Sequence, residues 1–314
     1  MNTDAIVKGI RGGDIPSVSR AISIVEDRSQ ISVSSEIMKK IYDRTGNIHI
    51  IGVTGPPGVG KSSMIGKLAS EIALRGRKTS IIAVDASSPF TGGTLLGNRV
   101  RMQESINRNS IYMRSLASRG FKGGLSSAAL STIRILDAAG FDSVIVETVG
   151  SGQADIDIMK IAHTIIVLHA PGLGDILQSI KAGIMEIGDI FVVNKIDREG
   201  AFLAIKDIED SLSMLPGGPW KRKVIGVNSL SGENIDALLD EIERHRSLGK
   251  ENRGDGEAMQ EMSIYIEDEL RRIILERSAP KGDLNREMKR MMAKGIDPFN
   301  GALKLVTSLV GSEI

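Results

Sequence analysis

Short apolar runs rich in isoleucine and valine recur through the middle of the chain and alternate with segments of helical apolar spacing. Leu203, Ile208 and Leu212, for example, repeat at helical spacing between the last two runs. Continuous apolar strands separated by helices are typical of a parallel sheet covered on both faces. Residues 46–249 are therefore predicted to form a doubly wound, mainly parallel α/β domain. The predicted strands are Ile48–Val53, Thr79–Val84, Val144–Val146, Thr164–Leu168, Ile190–Val193 and Val224–Val227.

Helical patterns flank this domain on both sides. Residues 1–45 carry apolar positions at helical spacing, which predicts one or two short helices packed on the domain. Residues 250–314 begin with a polar linker that contains glycines and continue as a predicted C-terminal helical arm. The apolar stripe of this arm must be buried, either against the main domain or against a second copy in a homodimer. The apolar positions of the N-terminal segment are Ile15, Val18, Ile22 and Val25. Those of the C-terminal arm are Met262, Ile266, Leu270, Ile273 and Ile274.

The composition narrows the class of protein. The 314 residues include 40 Lys and Arg against 39 Asp and Glu, and 3% are aromatic, so neither a nucleic-acid surface nor a membrane surface is expected. The absence of cysteine excludes disulfides, thiolate metal sites and cysteine nucleophiles. The sequence shows no apolar signal core and no apolar run long enough for a membrane helix. A cytoplasmic protein is therefore expected.

A glycine-rich loop follows the first predicted strand and precedes a helical pattern. Residues 55–62 read Gly-Pro-Pro-Gly-Val-Gly-Lys-Ser, which fits the P-loop pattern G-x-x-x-x-G-K-[ST]. The glycines let the backbone wrap around phosphates at the positive end of a helix dipole. Lys61 can reach the β- and γ-phosphates, and the Ser62 hydroxyl can ligate Mg²⁺. The predicted nucleotide-binding residues here are Gly55, Pro56, Pro57, Gly58, Val59, Gly60, Lys61, Ser62 and Ser63.

Two carboxylates stand at the ends of predicted strands. Asp85 and Glu147 are both expected at the carboxyl edge of the sheet, beside the glycine-rich loop. Such hard oxygen ligands suit Mg²⁺, and with Ser62 they form the predicted metal site. The alternative for a lone strand-end Asp is to cap the following helix, and that alternative is about equally common.

A switch segment follows the second carboxylate. Glu147-Thr-Val-Gly150 resembles the D-x-x-G switch of GTPases, and Gln153 just beyond it is the candidate to orient a water molecule. Arg114 and Arg119 are candidates to approach the phosphates, with structural ion pairs as the alternative. The predicted catalytic residues are Lys61, Glu147 and Gln153.

The motif Asn194-Lys195-Ile196-Asp197 follows the apolar run Ile190–Val193 and fits N-K-x-D. Guanine presents N1–H and an exocyclic amine on one edge, and the single carboxylate of Asp197 can accept from both. Adenine lacks this pair of donors, so the motif predicts guanine specificity. The stem of Lys195 can lie over the base, and Asn194 can support the loop.

The histidines predict no metal site. His163 and His169 flank one predicted strand on the same face, about 20 Å apart. His49 and His245 are interpreted as isolated. All four are therefore expected to be core or surface residues.

These motifs together resemble the methylmalonyl-CoA mutase-associated GTPases of the MeaB/ArgK type over nearly the whole chain. The most distinctive match is the segment 84–93, Val-Asp-Ala-Ser-Ser-Pro-Phe-Thr-Gly-Gly, and residues 114–120 and 147–153 continue it. The family usually has Ser-Ala-Leu in the loop that contacts the base, where this chain has Asn228-Ser229-Leu230. It usually has Asp at the position of Asn98.

The resemblance implies a dimeric G protein that binds GTP or GDP with Mg²⁺ and partners with a cobalamin-dependent acyl-CoA mutase. In that role the GTPase gates cofactor loading and protects the mutase. Two alternatives remain: a metallochaperone GTPase, and an ArgK-like transport-coupled NTPase or kinase. Scattered histidines and the absence of cysteine argue against the first, and Asp197 argues against an ATPase. The residues carried over are Lys61, Ser62, Asp85 and Glu147 for phosphate and magnesium, and Asn194, Lys195, Asp197, Asn228, Ser229 and Leu230 for the base.

Overall fold

The computed structural model describes residues 2–85, 111–117, 127–147, 161–172, 184–217, 219–249, 255–278, 290 and 293–294. The chain divides into two compact units, Met1–Glu257 and Ala258–Ile314. Helices α1–α9 are Thr3–Arg11, Ile15–Glu26, Ile31–Ile41, Lys61–Leu74, Ser127–Ala138, Ile184–Ile187, Ala201–Ser213, Ile235–Gly249 and Asp255–Ser278. Strands β1–β7 are His49–Thr54, Thr79–Asp85, Tyr112–Ala117, Ser143–Glu147, Thr164–His169, Ile190–Asn194 and Lys223–Val227. Single 3₁₀ turns are at Arg28–Gln30 and Tyr42–Arg44.

The described strands form one parallel sheet in the order β3-β2-β4-β1-β5-β6-β7. Every residue of β1, β4, β5 and β6 is buried, because helices cover both faces of the sheet. Helices α4 and α8 supply the core on one face, and α7 packs on the other. The predicted doubly wound fold is confirmed. From β1 the sheet continues through β4 on one side and through β5 on the other, so the strand order reverses at β1. In such sheets, ligands bind beside the carboxyl ends of the strands at the point of reversal.

The N-terminal helices pack against each other and against α5. Asp14 caps the start of helix α2, since its Oδ2 accepts a hydrogen bond from Ser17 N at 2.9 Å, and Pro16 lies in the first turn. Asp137, at the end of α5, accepts from the backbone N–H groups of residues 46, 47 and 48 and so directs the chain into β1. Burial raises the pKa of the Asp137 carboxyl, although these N–H donors act in the opposite direction.

Strand β3 has no counterpart among the predicted strands. Its sequence, Tyr-Met-Arg-Ser-Leu-Ala, mixes polar and apolar residues instead of forming an apolar run. The strand lies at the edge of the sheet and most of its residues are half-buried, so a continuous apolar sequence is not required there. In the described ranges, no helix has both the length and the apolar character to span a bilayer.

Candidate nucleotide-binding site

The glycine-rich loop lies between the carboxyl end of β1 and the start of α4, as the sequence predicted. Gly58 and Gly60 adopt φ angles of 83° and 98°, in the left-handed region that glycine tolerates. Gly60 also has a steric role, since a Cβ there would lie 2.4 Å from Asn194 Nδ2. As the N-cap of α4, Gly60 brings no side chain that could compete with a phosphate for the first helical N–H groups.

The ammonium group of Lys61 lies against the loop. Its Nζ donates to the carbonyl oxygens of Gly55 at 2.6 Å and Pro56 at 3.0 Å, and the side chain is buried. A positive charge is thereby placed at the mouth of the loop. Phosphate oxygens bound in the loop would meet this charge directly.

Two of the three predicted metal residues are in contact. Ser62 Oγ donates to Glu147 Oε1 at 2.8 Å, and both residues are buried. Asp85 is the last residue of β2, which pairs with β4 so that Ala83 lies beside Glu147. The backbone therefore brings Asp85 to the same edge of the sheet, while its side chain and Gln153 lie outside the described residues. A hydroxyl beside a carboxylate is a hard oxygen set, which fits Mg²⁺.

Asn194 connects the base motif to two other loops. Its Nδ2 donates to Val59 O at 2.8 Å, and its Oδ1 accepts from Ser229 N at 3.0 Å. The side chain is 1% exposed. Lys195 adds a further contact, since its Nζ donates to Gly58 O at 2.8 Å. The predicted phosphate and base motifs are therefore joined in space.

Asp197, which is predicted to bind the guanine base, is exposed, and it contacts the loop that follows β7. Asn228 Nδ2 donates to Asp197 Oδ1 at 2.9 Å, and Ile196 N donates to Val227 O at 3.3 Å. The sequence did not predict the Asn228 contact, because no local pattern links residues 31 positions apart. The Leu230 side chain is 79% exposed. Its backbone is held in the loop, because Leu230 N donates to Asn228 Oδ1.

Arg114 takes the structural alternative among its two predicted roles. Its Nε donates to Glu26 Oε2 at 3.2 Å and its second guanidinium nitrogen donates to Ser23 Oγ at 3.1 Å. These contacts join β3 to the C-terminal end of α2. The second candidate, Arg119, lies outside the described residues.

Three histidines meet at the opposite, amino edge of the sheet. His49 Nε2 and His245 Nδ1 each lie 2.9 Å from Thr164 Oγ1, and the His49 ring stacks on that of His163 at 5.9 Å. The interpretation of His49 and His245 as isolated was therefore wrong, since a hydroxyl joins them. Within the described residues, no group of three or more His, Asp or Glu side chains is placed to hold a metal ion.

Residues 18–278 match the family model of the methylmalonyl-CoA mutase-associated GTPase MeaB. A Pyrococcus horikoshii relative whose name places it among the GTPases is 40% identical over 318 residues, which cover 98% of each chain. The GTPase ArgK of Escherichia coli is 34% identical over 243 residues, covering 75% of this chain and 73% of ArgK. The mitochondrial methylmalonic aciduria type A homolog of Caenorhabditis elegans is 29% identical over 292 residues, covering 86% and 73%.

The crystal structure of a LAO/AO transport system kinase superposes with a TM-score of 0.73 and covers 98% of both chains. Its sequence is 24% identical, so this similarity concerns the fold alone.

Proposed function

Because this chain belongs to the methylmalonyl-CoA mutase-associated GTPases of the MeaB type, we propose that its GTPase cycle serves a cobalamin-dependent acyl-CoA mutase. The chain is a GTPase, as its family is. The proposed role is to gate loading of the cobalamin cofactor and to protect the mutase. Two names support this role: the family is described as mutase-associated, and the nematode relative is named after methylmalonic aciduria.

The observation that carries the nucleotide part of the proposal is the convergence of three loops at one edge of the sheet. Residues 55–62, 194–197 and 228–231 are joined by hydrogen bonds from Asn194, Lys195 and Asn228. In the proposed complex the first loop binds the phosphates, and the other two bind guanine through Asp197 and the backbone around Ser229 and Leu230. The ammonium of Lys61 stabilises the negative charge that develops on the phosphates during hydrolysis.

We propose that Ser62, Asp85 and Glu147 hold Mg²⁺, directly or through water. When bound, the ion neutralises charge on the phosphate oxygens. Glu147 also begins the proposed switch segment, so its contact to Ser62 connects the phosphate site to that segment. Gln153 is proposed to orient the attacking water, whose proton passes to solvent or phosphate.

We further propose that the protein is a homodimer that uses α9. Met259, Met262, Ile266 and Leu270 are 48–69% exposed, and their spacing places them along one side of that helix. Spacings of three and four residues are typical of helices that pair along an apolar stripe. A second copy of the same helix would cover this stripe, and sedimentation velocity tests the dimer directly.

The proposed function is tested by steady-state GTP hydrolysis with and without the adenosylcobalamin-dependent mutase from the same source. Stimulation of GTP turnover, with no effect on ATP, is the expected result. A Lys61→Ala variant in the same assay controls for contaminating phosphatases. GTP turnover that stays unchanged at saturating mutase would refute the partner while leaving the GTPase intact, and turnover of ATP as fast as GTP would refute the base assignment.

A further inference from the structure

Both ends of the Asn228 carboxamide are used. Its Nδ2 donates to Asp197 Oδ1 at 2.9 Å. Its Oδ1 accepts from Leu230 N at 2.9 Å and from Ser231 N at 3.3 Å, which forms an Asx turn. One side chain thus shapes its own loop and contacts the carboxylate of another loop.

The backbone of Asn228 is fixed as well. Its N–H donates to Glu233 O at 3.1 Å, and its carbonyl accepts from Gly232 N at 2.8 Å. Asn228 is half-buried, whereas Asp197 is exposed. A donor held at four points therefore faces a carboxylate for which the described part of the chain shows no second side-chain hydrogen bond, so this contact restricts the side-chain torsions of Asp197.

This arrangement leaves Asp197 able to read a base. A carboxylate oxygen has two acceptor positions, so with respect to the described residues Oδ1 keeps one after accepting from Asn228, and Oδ2 keeps both. Two adjacent donors on a base edge can be accepted together only if the plane of the carboxylate is correctly oriented. The bond from Asn228 restricts that rotation.

We propose that Asn228 is a positioning residue that orients the Asp197 carboxylate and thereby sets the preference of the site for a base carrying both N1–H and a 2-amino group. The inference rests on the proposed base site. Hypoxanthine has the N1–H but lacks the 2-amino group, so the ratio of GTP to inosine triphosphate affinities reports the second contact. Loss of orientation weakens the two-point contact with guanine more than the one-point contact with hypoxanthine.

The test measures the Kd of GTP and of inosine triphosphate by displacement of a fluorescent guanine nucleotide. Asn228→Ala is expected to lower the GTP preference by about tenfold, since a hydrogen bond to a charged group is removed. Asn228→Asp retains the Oδ1 acceptor and so the turn, but it places a second carboxylate against Asp197 Oδ1. This variant is expected to lower the GTP preference at least as much, although its loop is intact.

A matched control comes from the same turn. Asn234 Nδ2 donates to Gly226 O at 2.8 Å and its φ is 61°, so Asn234→Gly removes a carboxamide bond of similar length and keeps the backbone accessible. This control should change both affinities by the same factor, because it does not contact Asp197. If the control lowers the ratio as much as Asn228→Ala does, loosening of the loop explains the effect and the inference is overturned.

A double-mutant cycle with Asp197→Asn identifies the route of the effect. Asn228→Ala should lower the ratio in the wild-type background and leave it unchanged in the Asp197→Asn background. An equal loss in both backgrounds, or no loss in either, overturns the positioning role. If Asp197→Asn alone leaves the ratio unchanged, the base site itself is wrong, and this outcome is thereby distinguished from failure of the Asn228 inference.

Discussion

Replacing Asn194 by alanine tests whether one buried carboxamide holds the phosphate and base loops together. The side chain donates to Val59 O at 2.8 Å and accepts from Ser229 N at 3.0 Å. All three residues are at least 96% buried, with exposures of 1%, 0% and 4% respectively. Alanine would therefore leave a buried carbonyl and a buried amide without these partners.

The magnitude follows from the two groups left behind. Each buried, unsatisfied polar group costs about 1–3 kcal/mol, so the loss of partners for two such groups should lower the free energy of unfolding of Asn194→Ala by about 2–6 kcal/mol. In a domain of this size, a loss of about 1 kcal/mol lowers Tm by about 2 °C, so the expected decrease in Tm is about 4–12 °C. GTP affinity should fall by about 10–100-fold, because about 1.4 kcal/mol of lost loop positioning corresponds to a factor of ten.

Calorimetry gives Tm, and titration with a fluorescent GTP analogue gives Kd. Glu199→Gln is the control, because Glu199 is exposed and lies five positions after Asn194 in the same loop. The Tm of this variant should match that of the wild-type protein. The variant Asn194→Asp keeps the acceptor for Ser229 N and loses the donor to Val59 O, which separates the two bonds. An Asn194→Ala protein with wild-type Tm and wild-type Kd would refute the claim that this side chain joins the loops.

Three further predictions concern separate parts of the chain. Lys61→Ala should lower GTP turnover by about 100-fold or more, since it removes the charge at the loop mouth, and unchanged phosphate release would refute that role. Arg114→Ala should lower the free energy of unfolding by about 1 kcal/mol through loss of the Glu26 contact and change GTP turnover by less than about twofold. A large loss of turnover at constant Tm would instead indicate that Arg114 takes part in catalysis. Because burial raises the pKa of Asp137, the folded protein binds the proton of this carboxyl more tightly than the unfolded protein does. The free energy of unfolding, compared with that of Asp137→Asn, should therefore fall as the pH rises from the ordinary aspartate pKa through the raised pKa, and it should be constant above that. Urea titrations between these pH values measure the difference, and a difference that rises with pH would contradict the burial argument.

The central strands could be predicted because a strand that is buried on both faces is apolar at successive positions of the sequence. Strands such as β5, Thr164–His169, are covered on both faces and so must be apolar at successive positions. The edge strand β3, Tyr112–Ala117, needs no such run, and periodicity could not reveal it. Strand ends differed from prediction by about one residue, because hydrogen bonding extends past the last apolar side chain.

The candidate site shows a similar division. The identity and order of its motifs predicted which residues meet, because the carboxyl ends of parallel strands share one edge of the sheet. The contacts that hold the motifs in place were not predictable. Asn194 and Val59 are 135 positions apart, and Asn228 and Asp197 are 31 apart. No local propensity encodes such pairs, and each depends on where the folded sheet places its loops.

Because of these contacts, we expect the proposed phosphate binding and base recognition to depend on each other. The carbonyl of Gly58 accepts from Lys195, and the neighbouring carbonyl of Val59 accepts from Asn194, so two residues of the base motif hold the phosphate loop. Gly60 permits this approach, since any side chain there would meet Asn194. A substitution in the base motif should therefore weaken inorganic triphosphate as well as GTP. Lys195→Met tests this directly: weaker triphosphate binding is expected, and a loss confined to the guanine nucleotide would show that the two functions are independent.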